Sequence, residues 1–324
     1  MAMVDTVKGA IEVTQMGPTL MHEHIFVLSA DHHANYGPGG YWDEETRVAD
    51  AVANLKRLSE RGIKTIVDPT VVGLGRYIPR VQDVAAQVDL NIIVATGIYT
   101  YGDLPFPYVN RGPGTMLEGP EPMVEEFTRD ITEGIAGTGV KAAFLKCAVE
   151  HADASPGVLR SLRAVAQTHV ATAVPITVHT SAPEMTGDLV IRVFGEEGVD
   201  LSKVVIGHAG DSNDLAYLRR LADTGAILGM DRFGIDVFNP TEDRIATIVA
   251  LAAEGYCDRM VLAHDASCWI DWFGPDPHAL RDLLMPNWHY EHISNDVLPA
   301  LLEAGMSQAQ IDQMMVANPQ AYFS

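Results

Sequence analysis

Eight short apolar runs alternate with longer amphipathic stretches along this chain, and that alternation limits its fold more than any other feature. The runs are "TLMHEHI" (19–25), "KTIVDPT" (64–70), "NIIVATG" (91–97), "AAFLKCA" (142–148), "PITVHT" (175–180), "KVVIGH" (203–208), "AILGMDR" (226–232) and "RMVLAHD" (259–265). Near-continuous apolar runs of this length, separated by helical patterns, read as parallel strands buried on both faces with crossover helices between them. One such helix is expected in "DSNDLAYLRRLADTG" (211–225), which has an Asp/Ser start and a Gly stop. Eight units of this kind predict an α/β fold, a (β/α)8 TIM barrel occupying residues 1–324 as a single domain. A doubly wound sheet would carry a G-x-G-x-x-G turn after an early strand, and the chain has none.

Two additions to the barrel are legible. "MVDTVKGAIEV" (3–13) alternates apolar and polar residues around Lys8-Gly9 and predicts a short hairpin over the closed end. After the eighth run a long loop, 266–292, is rich in Trp, Pro and Asp, and a loop of that length usually has a function.

Composition excludes several function classes. At 47% hydrophobic and 20% charged residues the chain can bury a large core. Its net charge of −21 repels phosphate backbones and anionic lipid, so neither nucleic acid nor membrane is expected as a partner. Cys147, Cys257 and Cys268 are too few for a disulfide framework, which points to a reducing, cytoplasmic location. The first residues show no basic segment followed by an apolar one, and no apolar run approaches a membrane span.

The chemistry lies at the ends of the runs. His22 and His24 close the first, Lys146 lies near the end of the fourth, His179 ends the fifth, His208 the sixth and Asp265 the eighth. In a barrel these ends converge on one face. Side chains alternate along a strand, so His22 and His24 point one way, Glu23 the other, and the histidines suit a shared metal ion. Taken singly, each residue has a plainer reading: a hydrogen-bonded histidine, a lysine extending its ammonium to solvent, an aspartate capping a turn. Six at corresponding positions favour a site. An ammonium has no lone pair for a cation. A desolvated lysine favours its neutral amine, however, and a neutral amine reacts with carbon dioxide to give a carbamate that can bridge two ions. Cys147, by alternation, faces the helices and is structural.

The ordered set "HEH", "FLKCA", "TVHTSA", "IGHAGDSND" and "VLAHDAS" resembles the phosphotriesterase family of the amidohydrolase superfamily along nearly the whole chain. "TGIYTYGDLPF", "GMDRFGIDVF" and the Trp-rich loop look like the phosphotriesterase-like lactonases, in particular those acting on N-acyl homoserine lactones. The resemblance implies two divalent metal ions, zinc or else cobalt, manganese or iron. His22, His24 and Asp265 would hold the buried one and His179 and His208 the exposed one, with carbamylated Lys146 bridging them. It also implies a catalytic Tyr99 near the metals, Arg232 where organophosphate triesterases carry histidine, Asp211 paired with Arg232, Asp265 as proton shuttle, and a homodimer. One departure is "PEMTGDLVIRVFG" (183–195), where many relatives carry a Gln-Gln pair before Arg-x-Phe.

The expected activity is lactone hydrolysis with a side activity on phosphotriesters. Trp269, Trp272 and Cys268, close after Asp265, are expected to contact substrate together with Tyr99 and Arg232, while Trp288 is expected in the core of a lid. Phosphotriester hydrolysis as the main task, and a non-catalytic metal-dependent binding protein, are the competing readings.

Overall fold

A computed structural model describes residues 2–37, 42–273 and 277–324. Of the long loop after the eighth run, residues 274–276 lie outside the described residues. The chain opens with the antiparallel hairpin of β1 (Met3–Thr6) and β2 (Gly9–Glu12). Thr6 pairs with Gly9, so the two-residue turn is Val7-Lys8 and not Lys8-Gly9. Gly9 takes φ 109°, a backbone region costly for residues with a Cβ.

The barrel follows: β3 (Thr19–Leu20), β4 (His24–Val27), β5 (Thr65–Asp68), β6 (Asn91–Gly97), β7 (Phe144–Val149), β8 (Ile176–Thr180), β9 (Val204–Gly207), β10 (Ile227–Met230), β11 (Met260–Leu262) and β12 (Ser267–Ile270). Eight strands form one parallel sheet in the order β11-β10-β9-β8-β7-β6-β5-β3. The remaining gap is bridged where Met21 N–H donates to the Leu262 carbonyl at 3.1 Å, and by β4 pairing in parallel with β12. The first and last barrel strands are therefore each interrupted, at 21–23 and 263–266, and both breaks carry site residues. The result is a nearly closed (β/α)8 barrel, as the eight runs predict.

Alternation sorts the side chains into two layers. Phe144, Ile93, Val205, Ile227 and Val261 fill the barrel interior against Val4, Val13 and Met16 of the N-terminal segment. Leu145, Cys147, Val149, Ile92, Ile206 and Leu228 face the surrounding helices. Cys147 is thus structural. Lys146, two residues beyond Phe144, shares its inward parity and is 1% exposed. A buried charged residue at that depth needs a chemical reason.

Helices Glu44–Glu60, Ile78–Ala85, Pro122–Thr132, Pro156–Thr172, Thr186–Glu197, Leu215–Ala222 and Thr241–Ala253 link successive strands. Their starts follow local chemistry: Asp43, Ser155 and Asp214 each accept a hydrogen bond from the first turn. The helix expected from 211 begins at Leu215. Asp214 takes the capping role because the Asp211 carboxylate is held elsewhere, by Arg232 and Arg244. Among the described residues no helix is long and apolar enough to cross a membrane.

Candidate metal centre

Strand ends on one face of the barrel bring the six candidate ligands together. His22 Nε2 and His24 Nε2 each lie 3.3 Å from Asp265 Oδ1. Ligands bound tetrahedrally at about 2.0–2.1 Å stand roughly 3.3 Å apart, so these three atoms already have the spacing of a cation's donor set. His179 Nδ1 and His208 Nε2 approach within 2.8 Å, near the roughly 2.9 Å separating donors at right angles around an ion with such bonds. Lys146 Nζ lies 3.3 Å from His22 Nε2. The donor chemistry and spacing fit two cations.

The imidazole nitrogens turned away from these clusters are also occupied. His22 Nδ1 donates to Asp231 Oδ2 at 3.2 Å and His208 Nδ1 to Asp231 Oδ1 at 2.7 Å, so one carboxylate fixes two rings. His24 Nδ1 donates to Thr70 Oγ1 at 2.7 Å, and Thr70 in turn donates to Asp68. His179 Nε2 donates to Glu150 Oε2 at 2.7 Å, with the Tyr101 hydroxyl 3.1 Å from the same nitrogen. Such outer partners fix the tautomer and leave the other nitrogen's lone pair for a metal. Asp231 together with His22 and His208 could itself hold an ion on composition. Asp231 accepts from Nδ1 of both rings and from the His208 backbone N–H, so its oxygens are already engaged behind the rings and not among the donors.

Burial sets the protonation states. It lowers His22 below its ordinary value and His208 well below, and takes His179 down to about 4, so the imidazoles are neutral and able to ligate. Burial brings the Lys146 ammonium down to about 8 against the pull of Asp265 and Asp231, which makes the neutral amine accessible. For Asp265 burial acts in the opposite sense, but His22, His208, the His24 bond and Arg232 outweigh it and hold the carboxyl well below its usual range. Burial raises Tyr99 well above the usual phenol value, with Tyr101 adding to it; Tyr99 is therefore a neutral hydroxyl.

The remaining expected residues divide. Tyr99 OH stands 3.3 Å from His179 Nδ1. Arg232 Nε donates to Asp265 Oδ2 at 3.1 Å and its Nη1 to Asp211 Oδ2 at 2.9 Å, so the Arg232–Asp211 pairing is present. Trp272, half exposed, lines the cavity above the donors. Trp269 and Cys268 do not. Both are buried in the outer layer, Trp269 against Trp42 and the Arg47 guanidinium, and Cys268 donating to Tyr290 OH. Nearness to Asp265 in sequence misleads here because β12 pairs with β4 and packs against helix Glu44–Glu60, which carries both side chains away from the cavity. Trp288, expected in a lid core, is buried and donates to the carbonyls of His264 and Asp265, yet it also forms part of the cavity wall.

Asp231, Glu150, Tyr101 and the Asp68–Thr70 pair escaped the sequence reading. Asp231 had a signal: it shares the inward parity of Ile227 at the end of an apolar run. Tyr101 had one too, two residues from Tyr99. Glu150 lies just past its strand and had none.

A barrel whose strand ends gather histidines, carboxylates and a buried lysine around one cavity has the architecture of a metal-assisted hydrolase. A model of the phosphotriesterase family matches residues 2–323. A relative from Mycobacterium tuberculosis named phosphotriesterase homology protein is 51% identical over 320 residues, covering 99% of this chain and 97% of its own. An aryldialkylphosphatase from Saccharolobus solfataricus is 38% identical over 98% of each chain. The solved structure of the phosphotriesterase from Mycobacterium tuberculosis superposes with a TM-score of 0.96 at 51% identity, covering 99% of this chain and 98% of that one. The chain belongs to the phosphotriesterase family, a family of binuclear-metal hydrolases.

Proposed function

We propose that this protein hydrolyses lactones, N-acyl homoserine lactones first among them, and turns over phosphotriesters as a side activity. The observation that carries the reading is the cavity. It has a volume of about 570 Å³ and joins the cation donors at its floor to a largely apolar wall that includes Val237, Phe238, Ile270, Trp272, Phe273 and Leu284. A polar reacting group attached to a long acyl tail matches that division.

When bound, two divalent cations would supply Lewis acidity toward the carbonyl and acidify a water molecule. His22, His24 and Asp265 Oδ1 would hold one, His179 and His208 the other, with Lys146 as its carbamate between them. The Tyr99 hydroxyl, kept protonated by its surroundings, donates to the oxyanion as it develops. Asp265 has its second oxygen, Oδ2, directed toward Arg232, and this oxygen takes a proton from the attacking water and passes it to the leaving alkoxide. Arg232 keeps that carboxylate ionised and is itself fixed by Asp211. Trp272 and Phe273 cover the acyl tail and exclude water from it.

The name of the Saccharolobus solfataricus relative favours a second reading, phosphotriester hydrolysis as the main task. The two separate on kcat/KM measured side by side with a long-chain N-acyl homoserine lactone and a diethyl aryl phosphate. The lactone is expected to react faster; a faster phosphate reaction would sink the lactonase reading and leave the family assignment intact.

A further inference from the structure

Each imidazole in the centre has a carboxylate behind it, directly or through one hydroxyl, but only one of these carboxylates is open to solvent. Asp231 and Asp68 are 1% and 3% exposed, whereas the Glu150 side chain is 33% exposed and lines the cavity. Its single hydrogen bond runs to His179 Nε2 at 2.7 Å, and it binds no other described residue. A glutamate this exposed has no need of a buried neutral imidazole for a partner, since water would serve it as well.

The bond has a directional consequence. His179 presents Nδ1 to the centre, whereas His22, His24 and His208 present Nε2. With Nε2–H donated to Glu150 at 2.7 Å, ahead of the Tyr101 hydroxyl at 3.1 Å from the same nitrogen, Nδ1 keeps its lone pair for a cation, and the ring plane is set relative to His208. Asp231 serves one histidine of each cluster, and Thr70 with Asp68 serves only His24. Glu150 acts on His179 alone, and so on one cluster.

We infer that Glu150 is a positioning residue that sets the affinity of the cation site at His179 and His208 through His179, leaving the site at His22, His24 and Asp265 unaffected. The inference rests on the two-cation reading above. A partner behind a metal-binding imidazole typically changes affinity about 10- to 100-fold. Because Glu150 stands on the cavity wall, the cation at His179 and His208 is bound through a group that solvent reaches, and it is the first to leave.

The test uses full-length protein loaded with zinc(II) and dialysed against increasing EDTA, with zinc per chain measured at each step. Wild type is expected to hold two zinc ions. Glu150→Gln, which keeps an acceptor but loses the charge, and Glu150→Ala, which loses both, are expected to release one zinc at about 10- to 100-fold lower chelator than wild type. The second zinc is expected to leave as it does from wild type, and the metal-free melting temperatures to match. Release of both zinc ions at wild-type chelator concentrations overturns the inference, as does early loss of both together. A wild type that holds fewer than two overturns the two-cation reading and this inference with it.

Discussion

Lys146 stands in surroundings far from the ordinary chemistry of a lysine. It is fully enclosed, stands within 3.3 Å of His22 and has its ammonium brought down to about 8 by burial. An amine in that state is poised for carbamate formation and poorly suited to a purely structural role. On the proposed carbamate bridge, Lys146→Ala is expected to lower activity at least about 100-fold and to reduce zinc per chain, because that ligand would be lost. Short carboxylates such as propionate are expected to restore part of the activity by entering the space vacated. Full activity and two zinc ions in the variant would remove the carbamate from the account. The tryptophans part company in the same way. Trp272→Ala is expected to raise KM for long acyl chains with less than about 1 kcal/mol of stability lost, since the side chain is half exposed. Trp269→Ala is expected to cost about 3–5 kcal/mol in denaturant unfolding, since it leaves a cavity between β12 and helix Glu44–Glu60. A Trp269 variant that keeps its stability but loses long-chain activity would return that residue to the substrate wall.

The convergence of the six candidate ligands was legible because strands impose a period of two and a barrel gathers strand ends. What the period could not show is how each strand stops. His208, Arg232 and Asp265 all take left-handed backbone conformations, with φ of 62°, 61° and 54°, immediately after or near the ends of their strands. None is glycine, so each conformation costs of order 1 kcal/mol or more and is held by tertiary bonds such as Asp265 N–H to the His22 carbonyl. Such breaks re-aim side chains, which is why Arg232 reaches both Asp211 and Asp265, and why Cys268 and Trp269 ended in the outer layer. Sequence spacing carries no mark of them. Close packing between strands leaves a clearer imprint at Gly97, whose φ is 138° and where an added Cβ would stand 1.9 Å from the Lys146 carbonyl oxygen. Gly97→Ala is expected to destabilise the fold by about 3 kcal/mol or more, because backbone, not a movable side chain, blocks the space. It should also displace Lys146 and lower zinc retention. A thermal melt unchanged from wild type would show that β6 and β7 can separate without consequence.

At the scale of the whole molecule, the centre draws candidate ligands from the breaks in the first and last barrel strands, from the start of β4, from within β7 and from the ends of β8 and β9, so cations would tie together distant parts of the closed sheet. Zinc removal is therefore expected to lower the melting temperature, since an ion bound only by the folded chain stabilises it by mass action. The metal-free protein should then show a pH dependence of defined sign. His179 ionises near its ordinary 6.5 when unfolded but only at about 4 when folded, because burial penalises the imidazolium. Between those values the unfolded chain binds a proton that the folded chain refuses. Stability must therefore rise with pH across that window and fall as acid is added. For His179 alone the difference is roughly 3 kcal/mol at its full extent. His22 and His208 are displaced in the same direction, so they add to the loss. Lys146 contributes nothing there, since its folded and unfolded forms are both protonated below about 8. Glu23, whose carboxyl burial raises well above its ordinary value, acts in the opposite sense in this window, so the measurement is urea unfolding of wild type and of His179→Asn, each at pH 7 and at pH 4.5 in the presence of EDTA. Wild type is expected to lose more stability in acid than the variant; the same loss in both would mean that His179 opens to water without the metals, and that the cations build the centre as well as occupy it.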